Sequence, residues 1–409
     1  MKEIYLDYAA ATPVRKEVLS VMEPYLNEKY GNPSSFHMAG KSVRDEIEQA
    51  RSVIAEILGC KSQEIIFTSG GTESDNLAIL GVARANKQFG KHIITTAIEH
   101  EAVLSPVKQL QKEGFEVTIV GVDEYGSVNP SDIESALRED TILVSVMYAN
   151  NEIGTIQPIA EIGKILKASK NKTNNPQPQT SSIKPPFFHI DACQAAGALS
   201  LDVRKLHVDL MTLNSGKIYG PKGTGLLYIA NGTKISPLCF GGYQERMLRP
   251  GTENAPGIIG FAKALELAQK ERVAESERLT KLRDMFVNGV LETIPKTRLN
   301  GHPTSRLPNS ANISFLDVEG EALLLYLDAQ GVYASTGSAC TSASLDPSHV
   351  ILALGLPREV AHGSMRFSLG KGTTEKDIMH VLQILPPIVE KLRSISPVRV
   401  NAKYAQSKR

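Results

Sequence analysis

The chain has 409 residues, of which 42% are hydrophobic and 22% charged, and its formal net charge of +1 shows no basic excess of the kind nucleic-acid binding requires. These proportions are typical of a globular protein and exclude a disordered or collagen-like chain. No apolar run approaches the roughly 20 residues that span a bilayer, no secretory signal opens the chain, and its four cysteines form no C-x-x-C pair, so we expect a cytoplasmic protein without a metal site or disulfide framework.

Helical and strand patterns alternate through the first two-thirds of the chain. Apolar residues recur at helical spacing from Val43 to Leu58, and Gly59 follows as a stop signal. Strand-like and helical segments then alternate in the order EIIFTS, TESDNLAILGVARA, HIITT, HEAVLSPVKQLQKEG, FEVTIVGV, SDIESALRED, TILVSVMYA and IAEIGKILKAS, and three more apolar runs follow, FFHIDA, DLMTLN and TGLLYI. This alternation predicts an α/β fold with a mainly parallel sheet. Ligands of such folds bind at the carboxyl ends of strands, so we expect functional residues just after the apolar runs.

The sequence pattern changes after about residue 255. A helical stretch rich in Glu, Lys and Arg is followed by a compact mixture of strands and helices, SANISFLDV, EALLLYLDAQG, GVYAST, SMRFSL and EKDIMHVLQILPPIVEKL. We therefore expect a large domain over residues 16–256 and a small domain over residues 1–15 and 257–409. Residues 170–186 contain four prolines and almost no apolar side chains, which predicts an exposed, mobile insertion in the large domain.

The first candidate site is the segment TSGGTES from Thr68 to Ser74, between a predicted strand and a predicted helix. Glycines let successive backbone N–H groups face one point, and a helix N-terminus adds partial positive charge, so the segment can bind an anion such as phosphate. Its spacing is that of neither a Walker loop nor a dinucleotide fingerprint. An ordinary strand–helix turn with a Thr or Ser cap is the alternative.

An acid and a lysine follow two later strands. Asp191 ends the strand FFHID, and because a buried carboxylate needs a partner, we expect either a protonated ring nitrogen of a cofactor or an ordinary salt bridge or cap. Lys217 follows DLMTLN in a glycine-rich segment, where a desolvated amine can form a Schiff base. A surface lysine is the alternative, and Lys222 is a competing candidate. Together, an anion site, a ring-nitrogen acid and a lysine amine are what pyridoxal phosphate requires.

Two further candidates lie in the predicted small domain. Cys340 is surrounded by small residues in ASTGSACTSA, which favours an exposed, flexible loop and a reactive thiol over a packed cysteine. Arg366 lies in the strand-like run HGSMRFSLG. Its guanidinium can hold a carboxylate by two hydrogen bonds, or it can form a salt bridge between the domains.

The motifs follow the order of a known family. From residue 5 to about 370 they read YLDYAAATP, GNPSSFH, IIFTSGGTESDNLAI, EHEAVLSP, MYANNEIGTIQP, HIDACQAAG, GKIYGPKGTG, RPGTEN, STGSACTSAS and SMRFSLG. On these motifs the chain resembles the cysteine desulfurases of the NifS/IscS type, in the class V aminotransferase family. The resemblance implies the pyridoxal phosphate-dependent transferase fold of the aspartate aminotransferase type, with a large, mainly parallel α/β domain and a smaller α+β domain.

The resemblance also implies roles for individual residues. Lys217 would hold pyridoxal phosphate on its amine, Cys340 would be the nucleophile, and His100 would stack on the ring and assist proton transfer. Asn151 and Arg366 would hold the substrate carboxylate. The remaining cofactor contacts implied are Gly71 and Thr72 at the phosphate, Asp191 at the ring nitrogen, Gln194 at the phenolic oxygen, and Asn151, Asn214, Ser215, Gly216 and Thr252.

One motif departs from the family pattern. Asn214-Ser215-Gly216 precedes Lys217 where members usually read Ser-x-His. Asn214 can still donate from its amide, whereas Gly216 offers only its backbone N–H. We therefore expect the phosphate to depend on Ser215, on the Gly216 N–H and on Thr252 of the neighbouring protomer, which implies a homodimer. Glycine at position 71 stands where alanine is common.

The reaction implied by the resemblance converts L-cysteine to L-alanine and leaves the sulfur as a persulfide on Cys340. The STGSACTS segment is similar to that of long-loop members, so the acceptor would be an Fe–S scaffold or a tRNA-thiolation protein, with no direct nucleic-acid or membrane contact. One alternative is another class V lyase or aminotransferase, such as a selenocysteine lyase. A second is a non-enzymatic scaffold that binds pyridoxal phosphate and docks sulfur carriers.

Overall fold

The computed structural model describes residues 3–172, 185–336 and 346–406. Its strands are β1 Ile4–Tyr5, β2 Ile65–Thr68, β3 His92–Thr96, β4 Glu116–Val120, β5 Thr141–Ser145, β6 Phe187–Asp191, β7 Leu210–Asn214, β8 Gly225–Ile229, β9 Thr297–Asn300, β10 Ser310–Phe315, β11 Val332–Tyr333, β12 Ser335–Thr336 and β13 Ser364–Ser368. Cys340 and most of the predicted insertion lie outside the described residues.

The helices follow the predicted order. They are α1 Lys16–Met22, α2 Pro24–Asn27, α3 Met38–Leu58, α4 Gly71–Asn76, α5 Val82–Asn86, α6 Glu101–Lys112, α7 Pro130–Ala136, α8 Ile159–Lys172, α9 Val203–Leu206, α10 Ala255–Thr293, α11 Gly320–Asp328, α12 His349–Ala353, α13 Arg358–His362 and α14 Glu375–Ile395. A π-helical turn, Leu77–Gly81, joins α4 to α5. Among the described helices, none combines the length and the apolar character that crossing a bilayer demands.

Helix α3 shows how the sequence determines these elements. Its buried side chains include Val43, Ile47, Ile54 and Leu58, which share one face because residues three and four apart are neighbours on a helix. Gly59 then adopts a left-handed φ of 70° and ends the helix, as the stop signal predicts.

A seven-stranded sheet forms the centre of the large domain, in the order β2-β8-β7-β6-β5-β3-β4. Strands β3 to β7 pair in parallel, and only β8 runs antiparallel, to both β2 and β7. The connection from β7 to β8 contains a short 3-10 turn and no crossover helix, and antiparallel pairing needs none. The predicted mainly parallel sheet is confirmed, and the carboxyl ends of β2, β3, β5, β6 and β7 lie at one edge.

The smaller part of the fold is an antiparallel sheet, β12-β13-β10-β9, covered by α11 and α14. Helix α10 joins the two parts. Phe261 and Leu265 in its first half pack into the core of the large sheet, whereas Phe286 and Val290 in its second half pack into the core of the small one. Because the helix contributes to both cores, the boundary expected between residues 256 and 257 stays a prediction.

Candidate active site

Three predicted site segments meet at the carboxyl edge of the large sheet. The glycine turn follows β2, Asp191 is the last residue of β6, and Lys217 ends a 3-10 turn directly after β7. In the parallel register of β6 and β7, Asp191 lies opposite Thr212. Sheet order therefore brings together residues that are far apart in the sequence.

The N-terminal segment covers the Lys217 turn. Lys217 Nζ donates to the carbonyl oxygens of Ala9 and Ala10, both at 2.8 Å, and the Gln194 side-chain amide donates to Ala9 O at 3.0 Å. Thr12 fixes the segment, because its N–H and hydroxyl both donate to Gly216 O, at 3.2 and 3.0 Å. No role was predicted for these N-terminal residues, although they belong to the YLDYAAATP motif.

Lys222, the competing lysine, is also close to this segment. Its Nζ donates to Thr12 O at 2.6 Å. The Lys217 charge, by contrast, acts on the thiol of Cys193, which follows Asp191 by two residues. This electrostatic effect on the neighbour of Asp191 favours Lys217 over Lys222 as the functional amine.

Asp191 is almost fully buried, and its Oδ1 accepts a hydrogen bond from the Cys193 N–H at 2.9 Å. Burial raises the pKa of the Cys193 thiol well above its ordinary value, and the nearby Asp191 carboxylate raises it further. Cys193 is therefore an uncharged, packed side chain beside this acid.

The glycine turn begins helix α4 at Gly71. The Thr68 and Ser74 hydroxyls bond each other at 2.7 Å, and the Ser69 N–H donates to Glu73 at 2.7 Å, so the turn is held by its own polar groups. A Cβ at Gly70 would have nothing within 4 Å, so the space in front of the turn is open.

The residues before Lys217 also reach this turn. Asn214 Oδ1 accepts from the Gly216 N–H at 3.1 Å, and Asn214 Nδ2 lies 3.7 Å from where a Cβ on Gly71 would be. A donor amide thus lies beside the glycine turn, and the predicted role of Asn214 at a phosphate stays a prediction. The Ser215 hydroxyl, in contrast, is buried against Gly220 with no hydrogen-bond partner among the described residues, and its phosphate role stays a prediction.

His100 is the N-cap of helix α6, and its Nδ1 accepts from the Ala102 N–H at 3.0 Å. A ring nitrogen that accepts carries no proton, so the neutral ring carries its proton on Nε2. The preceding residue, Glu99, is fully buried, and burial raises its pKa to about 8. One Glu99 oxygen accepts from the Thr96 hydroxyl at 2.7 Å and from the Met147 N–H at 2.9 Å, while the other has no partner in the described part of the chain.

The Glu99→Gln substitution tests this buried acid. Because the unfolded chain releases the proton near the ordinary carboxyl pKa and the folded chain keeps it to about pH 8, the free energy of unfolding falls as pH rises between those values. The loss is on the order of 3 kcal/mol. Glutamine keeps the accepting oxygen and cannot ionise, so the variant is expected to lose less stability between about pH 5 and pH 8, measured by urea unfolding. Equal losses in both proteins would show that Glu99 is ionised at neutral pH.

Arg366 connects three parts of the structure. Its Nη2 donates to Asp7 Oδ1 at 2.8 Å and its Nη1 to Asn151 O at 3.1 Å, while β12 pairs Ser335 with Arg366 itself. Arg366 thus forms a salt bridge with Asp7. Both residues belong to the expected small domain, so this ion pair is not the predicted salt bridge between the domains. The guanidinium also lies beside Asn151, the other residue predicted to bind a carboxylate, so that role stays a prediction.

Three residues were missed by the sequence analysis. Glu99 and Cys193 are buried next to predicted site residues, and Asp75 is buried with its Oδ1 3.5 Å from His189 Nε2. Burial raises the Asp75 pKa, and the nearby Asp191 raises it further. The motifs EHEAVLSP, TSGGTESDNLAI and HIDACQAAG contain these three residues, and no pattern in the motifs marks them as buried. Thr72 and Thr252 are exposed and make no contact that tests their roles.

The site fits a phosphorylated aldehyde with a ring nitrogen. Lys217 offers an amine, Asp191 a buried carboxylate, and the glycine turn, open at Gly70 and beside the Asn214 amide at Gly71, an anion cradle. These are the groups that define the pyridoxal phosphate-dependent class of α/β transferases.

The sequence profile of the family described as Aminotransferase class-V matches residues 4–381. The chain belongs to this family, whose members use pyridoxal phosphate, and the family predicted from the sequence is confirmed. It is 53% identical over 397 residues to "Cysteine desulfurase IscS" of Methanosarcina thermophila, covering 97% of this chain and 94% of that protein. It is 54% identical to the protein of the same name from Dictyoglomus turgidum (strain DSM 6724 / Z-1310), covering 97% of both.

A solved structure named "NIFS-LIKE PROTEIN" is also similar. It has a TM-score of 0.87 and 38% sequence identity, and the match covers 96% of this chain and all of the other. The predicted fold class is therefore confirmed.

Proposed function

We propose that this protein is a pyridoxal phosphate-dependent cysteine desulfurase that converts L-cysteine to L-alanine. The observation that carries the proposal is the meeting of Lys217, Asp191 and the Gly71 turn at one sheet edge, in a chain similar to named cysteine desulfurases over nearly its whole length. The same sheet edge provides the donors for a phosphate and the acid for a ring nitrogen.

When bound, pyridoxal phosphate supplies an electron sink for negative charge on the substrate carbon next to the amine. The residues that hold it are Lys217 through its amine, Asp191 at the ring nitrogen, Gln194 at the phenolic oxygen, His100 at the ring face, and Gly71, Thr72, Asn214, Ser215 and Gly216 at the phosphate. Asp191 is suited to its role because it is buried, where a protonated ring nitrogen is a stabilising partner.

Substrate binding and proton transfer involve the other side of the site. Arg366 and Asn151 bind the substrate carboxylate, since a guanidinium pairs with a carboxylate through parallel hydrogen bonds. Lys217 accepts the proton from the substrate carbon, and His100 assists with the proton on its Nε2. The carbonyl oxygens of Ala9 and Ala10 accept hydrogen bonds from the Lys217 amine and thereby hold it at the sheet edge where the substrate carbon is proposed to bind.

Sulfur transfer belongs to Cys340. Its thiolate forms a bond to the substrate sulfur, the carbon–sulfur bond breaks, and the carbon keeps the electron pair and takes up a proton, so that alanine leaves and a persulfide remains. In the sequence, Cys340 follows Thr336, the last residue of β12, by four positions. Because Ser335 of β12 pairs with Arg366 of β13, the strand that precedes the Cys340 segment lies beside the proposed carboxylate site.

The active form is proposed to be a homodimer in which Thr252 reaches the phosphate site of the neighbouring protomer. Thr252 is exposed, and so are several large apolar side chains, which a second subunit can cover: Tyr30, Phe36, Phe240 and Tyr243. Sedimentation of the cofactor-loaded protein at twice the chain mass supports this assembly, and a monomer that retains full activity contradicts it.

The proposed acceptor is an Fe–S scaffold or a tRNA-thiolation protein in the cytoplasm. The names of the curated relatives support transfer of sulfur from cysteine. Acceptor identity is tested by the transfer of labelled sulfur from Cys340 to candidate proteins of the two classes, and transfer to neither contradicts the proposal.

The experiment that tests the activity is incubation of the cofactor-loaded protein with L-cysteine. We expect alanine to form and one extra sulfur atom to appear on the peptide that contains Cys340, as measured by mass spectrometry. Alanine from selenocysteine but not from cysteine would favour the selenocysteine lyase alternative. Cofactor binding without alanine from either substrate would favour the non-enzymatic scaffold.

A further inference from the structure

Cys193 lies between the two ends of the proposed cofactor site. Its backbone N–H donates to Asp191 Oδ1 at 2.9 Å, and its Sγ lies 2.9 Å from the position that a Cβ on Gly71 would occupy. Cys193 is buried. One residue therefore contacts both the acid proposed for the ring nitrogen and the glycine that begins the phosphate cradle.

The space at Gly71 is already filled by this thiol. A real Cβ does not approach a sulfur atom at 2.9 Å, so a side chain at position 71 requires either Cys193 or the start of helix α4 to move. Gly71 is the first helical residue of α4 and is not among the glycines with a positive φ. The backbone conformation at position 71 is therefore compatible with alanine, and the steric conflict with Cys193 is what disfavours it.

The thiol acts here by packing rather than as a nucleophile. Burial raises the Cys193 pKa well above its ordinary value, and the Asp191 and Asp75 carboxylates raise it further. A buried, neutral thiol is a small apolar group that fills a fixed volume. A side chain at position 71 would therefore disturb a proposed cofactor contact. Movement of Cys193 displaces the partner of Asp191, and movement of the start of α4 displaces the phosphate cradle.

We propose that Cys193 is a positioning residue of the cofactor site, whose thiol occupies the volume of a methyl group at position 71 and thereby sets the spacing between Asp191 and the phosphate cradle. The proposal rests on the proposed function of this sheet edge as the pyridoxal phosphate site. It predicts that residues 71 and 193 are coupled, so that a larger residue is accepted at one position only when the other is made smaller.

The test is a double-mutant cycle on cofactor affinity, with Gly71→Ala, Cys193→Ala and the double variant. Each apo-protein is titrated with pyridoxal phosphate, and binding is followed by the visible absorbance of the bound cofactor. We expect Gly71→Ala to bind about tenfold more weakly than the wild type, and the double variant to bind within about twofold of Cys193→Ala. Gly121→Ala is the matched control, since a Cβ there meets nothing within 4 Å, and its affinity should equal that of the wild type.

The outcomes separate this proposal from the proposed function. If the wild type binds the cofactor and Gly71→Ala binds it equally well, or if the double variant remains as weak as Gly71→Ala, the coupling is absent and the proposal is wrong. If the wild type does not bind the cofactor, the proposed function itself fails. If Gly71→Ala does not fold, the double variant decides, because recovery of a folded, cofactor-binding protein supports the proposal and failure to recover overturns it.

Discussion

The Lys217→Ala variant is expected to lose the visible absorbance that marks cofactor joined to lysine, and to lose turnover by about a factor of 10⁴ or more. The physical reason is that Lys217 is assigned both attachment of the cofactor and proton transfer at the substrate carbon, so that its loss removes both. The measurements are the absorbance spectrum of the purified protein supplied with pyridoxal phosphate, and mass spectrometry of the reduced adduct to locate the modified lysine.

Lys222→Ala is the matched control for this prediction. Lys222 lies five residues further along the chain, and its amine also donates to a backbone carbonyl of the N-terminal segment, that of Thr12. The control removes an amine of the same kind from the same region, so it should retain the visible band and the adduct on Lys217. If Lys217→Ala kept the visible absorbance band and Lys222→Ala lost it, the cofactor would be joined to Lys222, and the prediction for Lys217 would be wrong.

The sequence predicted those features that depend on local patterns and on strand ends. Alternating apolar runs and helices predicted the large sheet, and parallel pairing then required Asp191 and Lys217 to lie at the same edge. The antiparallel β8 was not predicted, because its apolar pattern is the same for either direction and only the short connection from β7 distinguishes the two.

Contacts between distant segments could not be predicted from these patterns. The carbonyls of Ala9 and Ala10 that hold Lys217 carry no side-chain signal, since every residue offers a carbonyl. The contact between Gly71 and Cys193 likewise depends on the tertiary arrangement of α4 and the turn that follows β6. In the sequence, Glu99 is a charged residue shortly after a predicted strand, where an exposed side chain is expected. The structure shows that it is buried and that burial raises its pKa.

The Cys340→Ser variant is the second substitution with a large expected effect. We expect it to abolish sulfide release from L-cysteine while the visible absorbance of the bound cofactor remains, because a hydroxyl cannot accept the substrate sulfur as a persulfide whereas Lys217 and Asp191 are unchanged. Sulfide release in the presence of a reducing thiol and the cofactor spectrum are measured on the same preparation. Loss of both signals would show that the variant is misfolded or unloaded and would contradict a role confined to sulfur transfer.

The choice of control for Cys340→Ser follows from the other three thiols of the chain. Burial raises the pKa of Cys60 to about 12 and that of Cys193 well above its ordinary value, so both stay protonated at neutral pH and are poor nucleophiles. Cys239 is exposed and free, which makes it the one competing nucleophile among the cysteines that the structure describes. Cys239→Ser should therefore release sulfide at the wild-type rate. If Cys239→Ser were inactive and Cys340→Ser active, the nucleophile would be Cys239, and sulfur transfer would take place outside the segment that follows β12.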